Sequence, residues 1–119
     1  MVKKSILTKV RQYLVRVAEQ GIPVDSGVVF GSFARGDQRA DSDIDLLVLS
    51  PAFDGPKDRG MVDTLWRMAW RVDSRIEPFG VGVHEFQKND DSPLIGIARR
   101  EGVVVPYRPP RVSRKVKVA

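Results

Sequence analysis

The stretch that decides the fold is VVFGSFARGDQRADSDIDLLVL, residues 28–49. Residues 28–30 are β-branched or aromatic and lead into Gly31-Ser32, which is typical of a buried strand that ends in a turn. The polar residues 33–42 predict a short helical turn and a loop. The almost continuously apolar run 44–49 predicts a central strand that is covered on both faces. The stretch therefore predicts a strand, a turn and a second, central strand.

The flanking sequence adds helices and two further strands. Apolar residues recur every three or four positions in the segments that we expect to be helical. The predicted helices span 5–20, 61–72 and 93–101, and the predicted strands span 76–83 and 103–105. Pro78 favours an edge position or a bulge for the first of these strands. The alternation predicts an α/β (α+β) fold, in which helices pack on a small mixed β-sheet.

The positive charge is concentrated at the end of the sequence. The 119 residues include 20 Lys+Arg and 15 Asp+Glu, which gives a formal net charge of +5. Residues 108–119 contain five of the basic residues and no acid, so residues 1–107 carry 15 charges of each sign. We predict a single domain over residues 1–107 and a basic, flexible tail over residues 108–119. The tail is either a solvated end or an arm that binds nucleic acid.

The composition excludes several classes of protein. The sequence has no Cys and only one His, which excludes a disulfide framework, a thiol nucleophile and a multi-His or Cys-based metal centre. No apolar run approaches the roughly 18–20 residues that a membrane span needs. The basic N-terminus lacks the apolar core of a signal peptide. We therefore predict a cytoplasmic protein that makes no membrane association.

Asp43 and Asp45 are the first candidates for chemistry. Residues i and i+2 of a strand point to the same face, so both carboxylates project together while Ile44 points into the core. Two adjacent carboxylates beside a core repel each other unless a cation binds them. Oxygen ligands with no His or Cys nearby suit a hard cation, Mg²⁺ or Mn²⁺. The pair therefore predicts a metal site.

Gly31, Ser32 and Arg35 are the candidates for binding phosphate. Glycine lets the backbone approach a phosphate closely, and a helical turn that starts near Ser32 would direct backbone N–H groups at an anion. The Ser32 hydroxyl can add a hydrogen bond, and Arg35, one turn later, can balance phosphate charge. A phosphate-binding turn beside a carboxylate-bound metal is the arrangement that phosphoryl or nucleotidyl transfer requires.

These residues resemble a known signature. The segments GSFARG (31–36) and SDIDLLV (42–48) resemble the motif of the nucleotidyltransferase superfamily that includes DNA polymerase beta: Gly-Ser, a polar spacer, then Asp-X-Asp. The sequence is most similar to the minimal nucleotidyltransferases, single small domains often encoded beside a HEPN-domain partner as a toxin–antitoxin pair. The resemblance is strong over residues 27–50 and weaker to about residue 106. It implies a polymerase beta palm-like fold, with Asp43 and Asp45 as the metal ligands.

The superfamily usually carries a third carboxylate on a later strand. Glu77 is the best candidate because it lies early in the predicted strand 76–83, although the family more often has Asp there. Asp73, at the end of a helix, and Glu85, near the end of the strand, are the alternatives. The resemblance implies that Glu77 would complete a second metal site and help to deprotonate the attacking hydroxyl.

The resemblance implies a metal-dependent nucleotidyltransferase that uses Mg²⁺ or Mn²⁺ and an NTP, with ATP as the expected donor. The nucleoside monophosphate would pass to a hydroxyl, and a tyrosine on a HEPN-type toxin would make this chain an antitoxin. One alternative is a non-catalytic module that neutralises its partner by docking. Another is a nucleic-acid-binding protein that acts through its basic tail. Self-association into a homo-oligomer is an alternative to a different protein partner.

Three other features favour structural roles. His84 is expected on the surface of a strand. Trp66 and Trp70, four positions apart on one helix face, are expected to pack in the core, with a groove for a partner as the alternative. The charged segment 99–101 is expected on the surface of a helix.

Overall fold

The structure is a computed structural model that describes residues 2–110. Its helices are α1 (Lys4–Glu19), α2 (Ser32–Arg35), α3 (Arg59–Val72), α4 (Val83–Lys88) and α5 (Pro93–Glu101). Its strands are β1 (Ser26–Phe30), β2 (Ile44–Leu49), β3 (Ile76–Val81) and β4 (Val103–Pro106). Residues 111–119, which make up most of the predicted tail, lie outside the described residues. No helix within residues 2–110 has the length and apolarity that crossing a bilayer requires.

The four strands form one mixed sheet in the order β3-β2-β1-β4. β1 is antiparallel to both β2 and β4, whereas β3 is parallel to β2. A parallel pair needs a crossover connection, and α3 supplies it here. β2 is buried along its length except at Asp45, which confirms a central strand covered on both faces. β3 forms an edge of the described sheet, as Pro78 predicted, and the predicted α/β fold is confirmed.

α1 and α3 cover one face of the sheet. The fully buried side chains of Val10, Leu14 and Val17 give α1 the apolar stripe that its sequence predicted. Burying each such side chain stabilises the fold by about 1.5–3 kcal/mol. The buried Tyr13 hydroxyl donates a hydrogen bond to the backbone carbonyl oxygen of Leu65 at 2.9 Å. This bond joins α1 to α3 inside the core, and burial raises the pKa of Tyr13.

A second apolar cluster covers the opposite face of the sheet. Its buried members come from three strands and from α5, and they are Val28, Phe30, Leu47, Leu49, Val81, Ile95 and Ala98. α5 begins as its sequence predicted, because the Ser92 hydroxyl accepts a hydrogen bond from the backbone N–H of Ile95 at 3.3 Å and Pro93 follows directly. The helix lies over β1 and ends beside the turn that follows Phe30.

The structure corrects the prediction for the end of the third strand. This strand ends at Val81 rather than at Val83, and α4 follows, so His84 lies exposed on a helix and not on a strand surface. The Asp54 carboxylate accepts hydrogen bonds from the backbone N–H groups of His84 and Glu85 at 3.3 and 3.0 Å. These bonds satisfy N–H groups that the start of a helix leaves free. The capping residue comes from 30 residues earlier in the chain.

The structure also corrects the expectation for the two tryptophans. α3 buries Leu65, Met68 and Ala69 against the sheet. Trp66 and Trp70 lie on other parts of the helix surface and are 41% and 73% exposed. The prediction that both pack in the core is therefore wrong. The alternative, a surface for a partner, stays a prediction.

Candidate active site

Asp43 directly precedes β2, and Asp45 is its second residue. Between them, Ile44 is fully buried, and its backbone N–H donates a hydrogen bond to the carbonyl oxygen of Arg75 at 2.8 Å. Asp43 is exposed and Asp45 is half-buried. Burial and then the negative charge of Asp43 raise the pKa of Asp45, while the charge of Arg35 acts against this rise. The two aspartates are therefore close enough to repel each other.

Glu77 reaches the same place from β3. In the parallel pairing of β2 with β3, Glu77 is the register partner of Asp45. The nearby Asp43 carboxylate raises the pKa of Glu77 most, and burial and the charge of Asp45 raise it further. The structure thus places Glu77 beside the two aspartates.

The two alternative third carboxylates have other partners. The Asp73 carboxylate accepts hydrogen bonds from Arg75 Nε at 3.0 Å and from Arg75 Nη2 at 2.8 Å, and these lower the pKa of Asp73. Glu85 lies on α4, where its Oε1 accepts from Lys57 Nζ at 3.0 Å and from the backbone N–H of Gly82 at 3.1 Å. Of the three candidates, Glu77 is the one whose strand position pairs it with Asp45.

Gly31 connects β1 to α2 directly in front of Asp45. Its φ of +74° lies in the left-handed region that glycine tolerates and other residues disfavour. A Cβ atom at this position would overlap Oδ2 of Asp45 and lie 3.2 Å from its Cγ. The missing side chain therefore lets the backbone lie against the carboxylate. Ser32, the first residue of α2, is half-buried next to it.

Arg35 forms ion pairs with two carboxylates. Its Nε lies 3.2 Å from Asp37 Oδ2, and its Nη1 lies 3.0 Å from Glu101 Oε1. The hydrogen bond and the charge of Asp37 raise the pKa of Arg35 most, burial acts against them, and the charge and hydrogen bond of Glu101 add a smaller rise. The same Glu101 oxygen accepts a hydrogen bond from the backbone N–H of Gly31 at 3.3 Å. The sequence placed segment 99–101 on an ordinary helix surface, so Glu101 is a site residue that sequence reasoning missed.

All of the candidate site residues except Glu77 line one cleft of about 390 Å³. This volume lies within the range of small-molecule sites. The lining residues are Phe30, Gly31, Ser32, Arg35, Ser42, Asp43, Asp45, Ile97 and Glu101. Phe30 and Ile97 give the cleft an apolar wall, and the remaining lining groups are polar, charged or backbone. The cleft therefore combines hydrogen-bond donors, carboxylates and an apolar surface.

The carboxylates fit a hard divalent cation that is shared with a substrate. Within residues 2–110, no three His, Cys, Asp or Glu side chains converge into a ready-made metal cage. Mg²⁺ usually binds through one or two carboxylates together with substrate phosphates rather than in a cage made only of protein. Asp43 and Asp45 offer such a pair. Burial and then the charge of Asp43 raise the pKa of Asp45, and a bound cation would offset both effects.

The comparisons with known proteins give the sequence family and the fold. The family model described as "Nucleotidyltransferase domain" matches residues 7–98. A Sulfolobus solfataricus protein, provisionally identified as a nucleotidyltransferase, has a similar fold with a TM-score of 0.55 and 20% identity, over 82% of this chain and 77% of that chain. A toxin–antitoxin complex solved with AMP-PNP is similar with a TM-score of 0.55 and 20% identity, over 82% of this chain and 73% of that chain.

A third similar structure is a doubly substituted variant of the toxin–antitoxin MntA–HpeT, in which two aspartates are replaced by glutamate. Its TM-score is 0.54 at 18% identity, over 82% of this chain and 73% of that chain. No curated protein sequence shows a significant similarity to this chain. At such low identities, what these structures share with the chain is the fold.

Proposed function

The chain belongs to the nucleotidyltransferase domain family, and we propose that it transfers a nucleoside monophosphate, AMP from ATP, to a hydroxyl group, with Mg²⁺ or Mn²⁺ as cofactor. The observation that carries this proposal is the cleft that brings Asp43 and Asp45 together with Gly31 and Arg35. Glu77 is the register partner of Asp45 on the neighbouring strand. Carboxylates for a cation and donors for a phosphate therefore meet in one place, as nucleotidyl transfer requires.

The phosphates of the donor bind at the turn between β1 and α2. The backbone N–H of Gly31, the hydroxyl of Ser32 and the guanidinium of Arg35 all line the cleft there, and each can donate a hydrogen bond to a phosphate oxygen. The base or the ribose has an apolar surface to contact at Phe30 and Ile97. This orientation leaves the α-phosphate near the aspartates.

Asp43 and Asp45 hold the divalent cation, and Glu77 is the proposed third ligand. When bound, the cation offsets charge on the phosphate oxygens and on the attacking and leaving oxygens. The acceptor oxygen forms a bond to the α-phosphorus, the bond from that phosphorus to the bridging oxygen breaks, and pyrophosphate leaves. The proton of the acceptor hydroxyl passes to a carboxylate, for which Glu77 is in position beside Asp43.

The acceptor in this proposal is a hydroxyl on a partner protein. Two of the similar structures are toxin–antitoxin complexes, and one was solved with AMP-PNP, a nucleoside triphosphate analogue. In the MntA–HpeT variant, the two substituted aspartates are two positions apart, which is the spacing of Asp43 and Asp45. These likenesses support a protein partner, and the acceptor that we propose on it is a tyrosine of a co-encoded, HEPN-type toxin.

The test is label transfer from ATP that carries a radioactive α-phosphate. The full chain is incubated with this ATP, Mg²⁺ and the co-encoded neighbouring protein, and label on that protein is counted. We expect transfer by the wild type and none by the double variant Asp43→Asn/Asp45→Asn. Asp41→Asn is the matched control, because Asp41 is an exposed acid in the same loop and its loss leaves the proposed ligands in place. Equal transfer by the double variant would refute the proposal.

A second candidate function is neutralisation of a partner by docking alone. The exposure of Trp66 and Trp70 favours it, because two large apolar side chains on one helix are unusual on a free surface and common at interfaces. Under this alternative, the double variant Asp43→Asn/Asp45→Asn still neutralises the partner although it transfers no label. If the double variant instead loses both label transfer and neutralisation, the result favours the enzyme.

A further inference from the structure

Glu101 accepts hydrogen bonds from the groups that the proposed function assigns to phosphate binding. Its Oε1 accepts hydrogen bonds from the Gly31 backbone N–H at 3.3 Å and from Arg35 Nη1 at 3.0 Å. Both donors line the same cleft as Asp43 and Asp45. A single carboxylate oxygen thus lies where a phosphate oxygen has to bind.

The position of Glu101 in its helix makes this contact unusual. Glu101 is the last residue of α5, and a negative charge at the C-terminal end of a helix is disfavoured by the helix dipole. The Gly31 N–H and the Arg35 guanidinium supply the interactions that offset this cost. The contact also joins segments that are 70 and 66 residues apart in the chain.

The backbone around Glu101 has little freedom to move away. The N–H of Gly102 donates to the carbonyl oxygen of Ala98 at 2.9 Å. A Cβ atom on Gly102 would overlap that oxygen and Cγ1 of Val28, so the chain after Glu101 packs directly on β1. Displacement of the carboxylate must therefore come from rotation of the side chain, which is 28% exposed.

From these contacts, and on the premise of the proposed function, we infer that Glu101 is an internal competitor for the phosphate-binding donors. A triphosphate binds only after its oxygens replace the Glu101 carboxylate on Gly31 and Arg35. The exchange lowers the affinity of the free protein for every anion.

The experiment measures binding, so it does not depend on an acceptor or on turnover. Dissociation constants for inorganic triphosphate and for ATP, each with Mg²⁺, are determined by calorimetry on the full chain. Glu101→Gln keeps the shape of the side chain and removes its charge, and Glu101→Ala removes the acceptor. We expect both variants to bind each probe about fivefold more tightly than the wild type, the scale of a partly exposed charge pair.

Glu19→Gln is the matched control. Glu19 is also the last residue of a helix, α1, and it is exposed. This substitution removes the same charge from the same kind of helix end, so we expect wild-type affinity for both probes. Tightening of equal size in Glu19→Gln would mean that net charge alone is responsible, which would overturn the inference.

The outcomes separate this inference from the proposed function. Equal or weaker binding in Glu101→Gln, together with normal label transfer to the acceptor, overturns the competitor role and leaves the transferase standing. Tighter binding of both probes without any label transfer supports the competitor role and contradicts the transferase. Absence of binding in the wild type and in both Glu101 variants would overturn the phosphate site itself, and the inference with it.

Discussion

Replacing Gly31 with alanine should damage both stability and the candidate active site, because two independent constraints act on this residue. Its φ of +74° disfavours any side chain, at a cost of about 1–2 kcal/mol. In addition, the new Cβ would overlap Oδ2 of Asp45, and that oxygen would have to retreat by about 1 Å to reach ordinary contact. Asp45 is half-buried beside Asp43, so it has little room for this movement.

Gly21→Ala is the control that separates the two constraints. Gly21 has a similar φ of +96°, and no atom lies within 4 Å of the Cβ that a substitution would add. Gly21→Ala should therefore show the backbone cost alone, about 1–2 kcal/mol. Gly31→Ala should lose about 1–3 kcal/mol more, the range for overpacking a filled site.

Urea unfolding measures the two stabilities, and α-phosphate label transfer measures the activity at a temperature where both variants are folded. A displacement of about 1 Å in a catalytic group can cost about 10²-fold in rate. We therefore expect Gly31→Ala to lose about 10²-fold in label transfer and Gly21→Ala to transfer label as the wild type does. If the two variants lose the same stability and keep the same activity, the contact between Gly31 and Asp45 does not constrain the site.

Three further predictions concern other parts of the fold. Asp73→Asn should lower the free energy of unfolding by about 1–2 kcal/mol at pH 7, because it removes a charged partner of Arg75. The pKa of Asp73 is lowered from its usual 3.8. The difference in stability between wild type and variant should therefore shrink when urea titrations are run below about pH 4. Tyr13→Phe should cost about 1 kcal/mol in the same assay, through the lost hydrogen bond to Leu65, and leave ATP binding unchanged. Trp70→Ala should change stability by less than about 0.5 kcal/mol, and a pull-down should show weaker retention of the co-encoded partner if the exposed ring docks there.

The sequence predicted the centre of the fold because local and global preferences agree there. The apolar run of β2 becomes a buried central strand, and the alternation of helices and strands produces one mixed sheet. The sequence also indicated Glu77 as a candidate, because this residue lies early in a predicted strand. In the structure, the parallel register of β2 and β3 pairs Glu77 with Asp45. Strand position alone placed Glu77 ahead of two other acids, and its role as the third carboxylate stays a prediction.

The features that sequence reasoning missed depend on contacts between distant segments. α4 has a short, weak pattern of its own, and its first N–H groups bond to Asp54, which lies 30 residues earlier. Glu101 looked like a solvated residue of a charged helix end, since its partners Gly31 and Arg35 are 70 and 66 residues away. Trp70 was expected in the core because it is large and apolar, but α3 has other side chains that fill the sheet face. Such contacts are set by tertiary packing, which a single sequence does not display.

The most direct test of the central claim asks which phosphorus of ATP reaches the acceptor. Parallel reactions contain the full chain, Mg²⁺, the co-encoded neighbour and ATP labelled on either the α- or the γ-phosphate. A nucleotidyltransferase that uses Asp43 and Asp45 must transfer the α-label and no γ-label, and Asp43→Asn/Asp45→Asn must abolish the α-signal while Asp41→Asn retains it. Transfer of the γ-label, or α-transfer that survives in the double variant, would contradict the account.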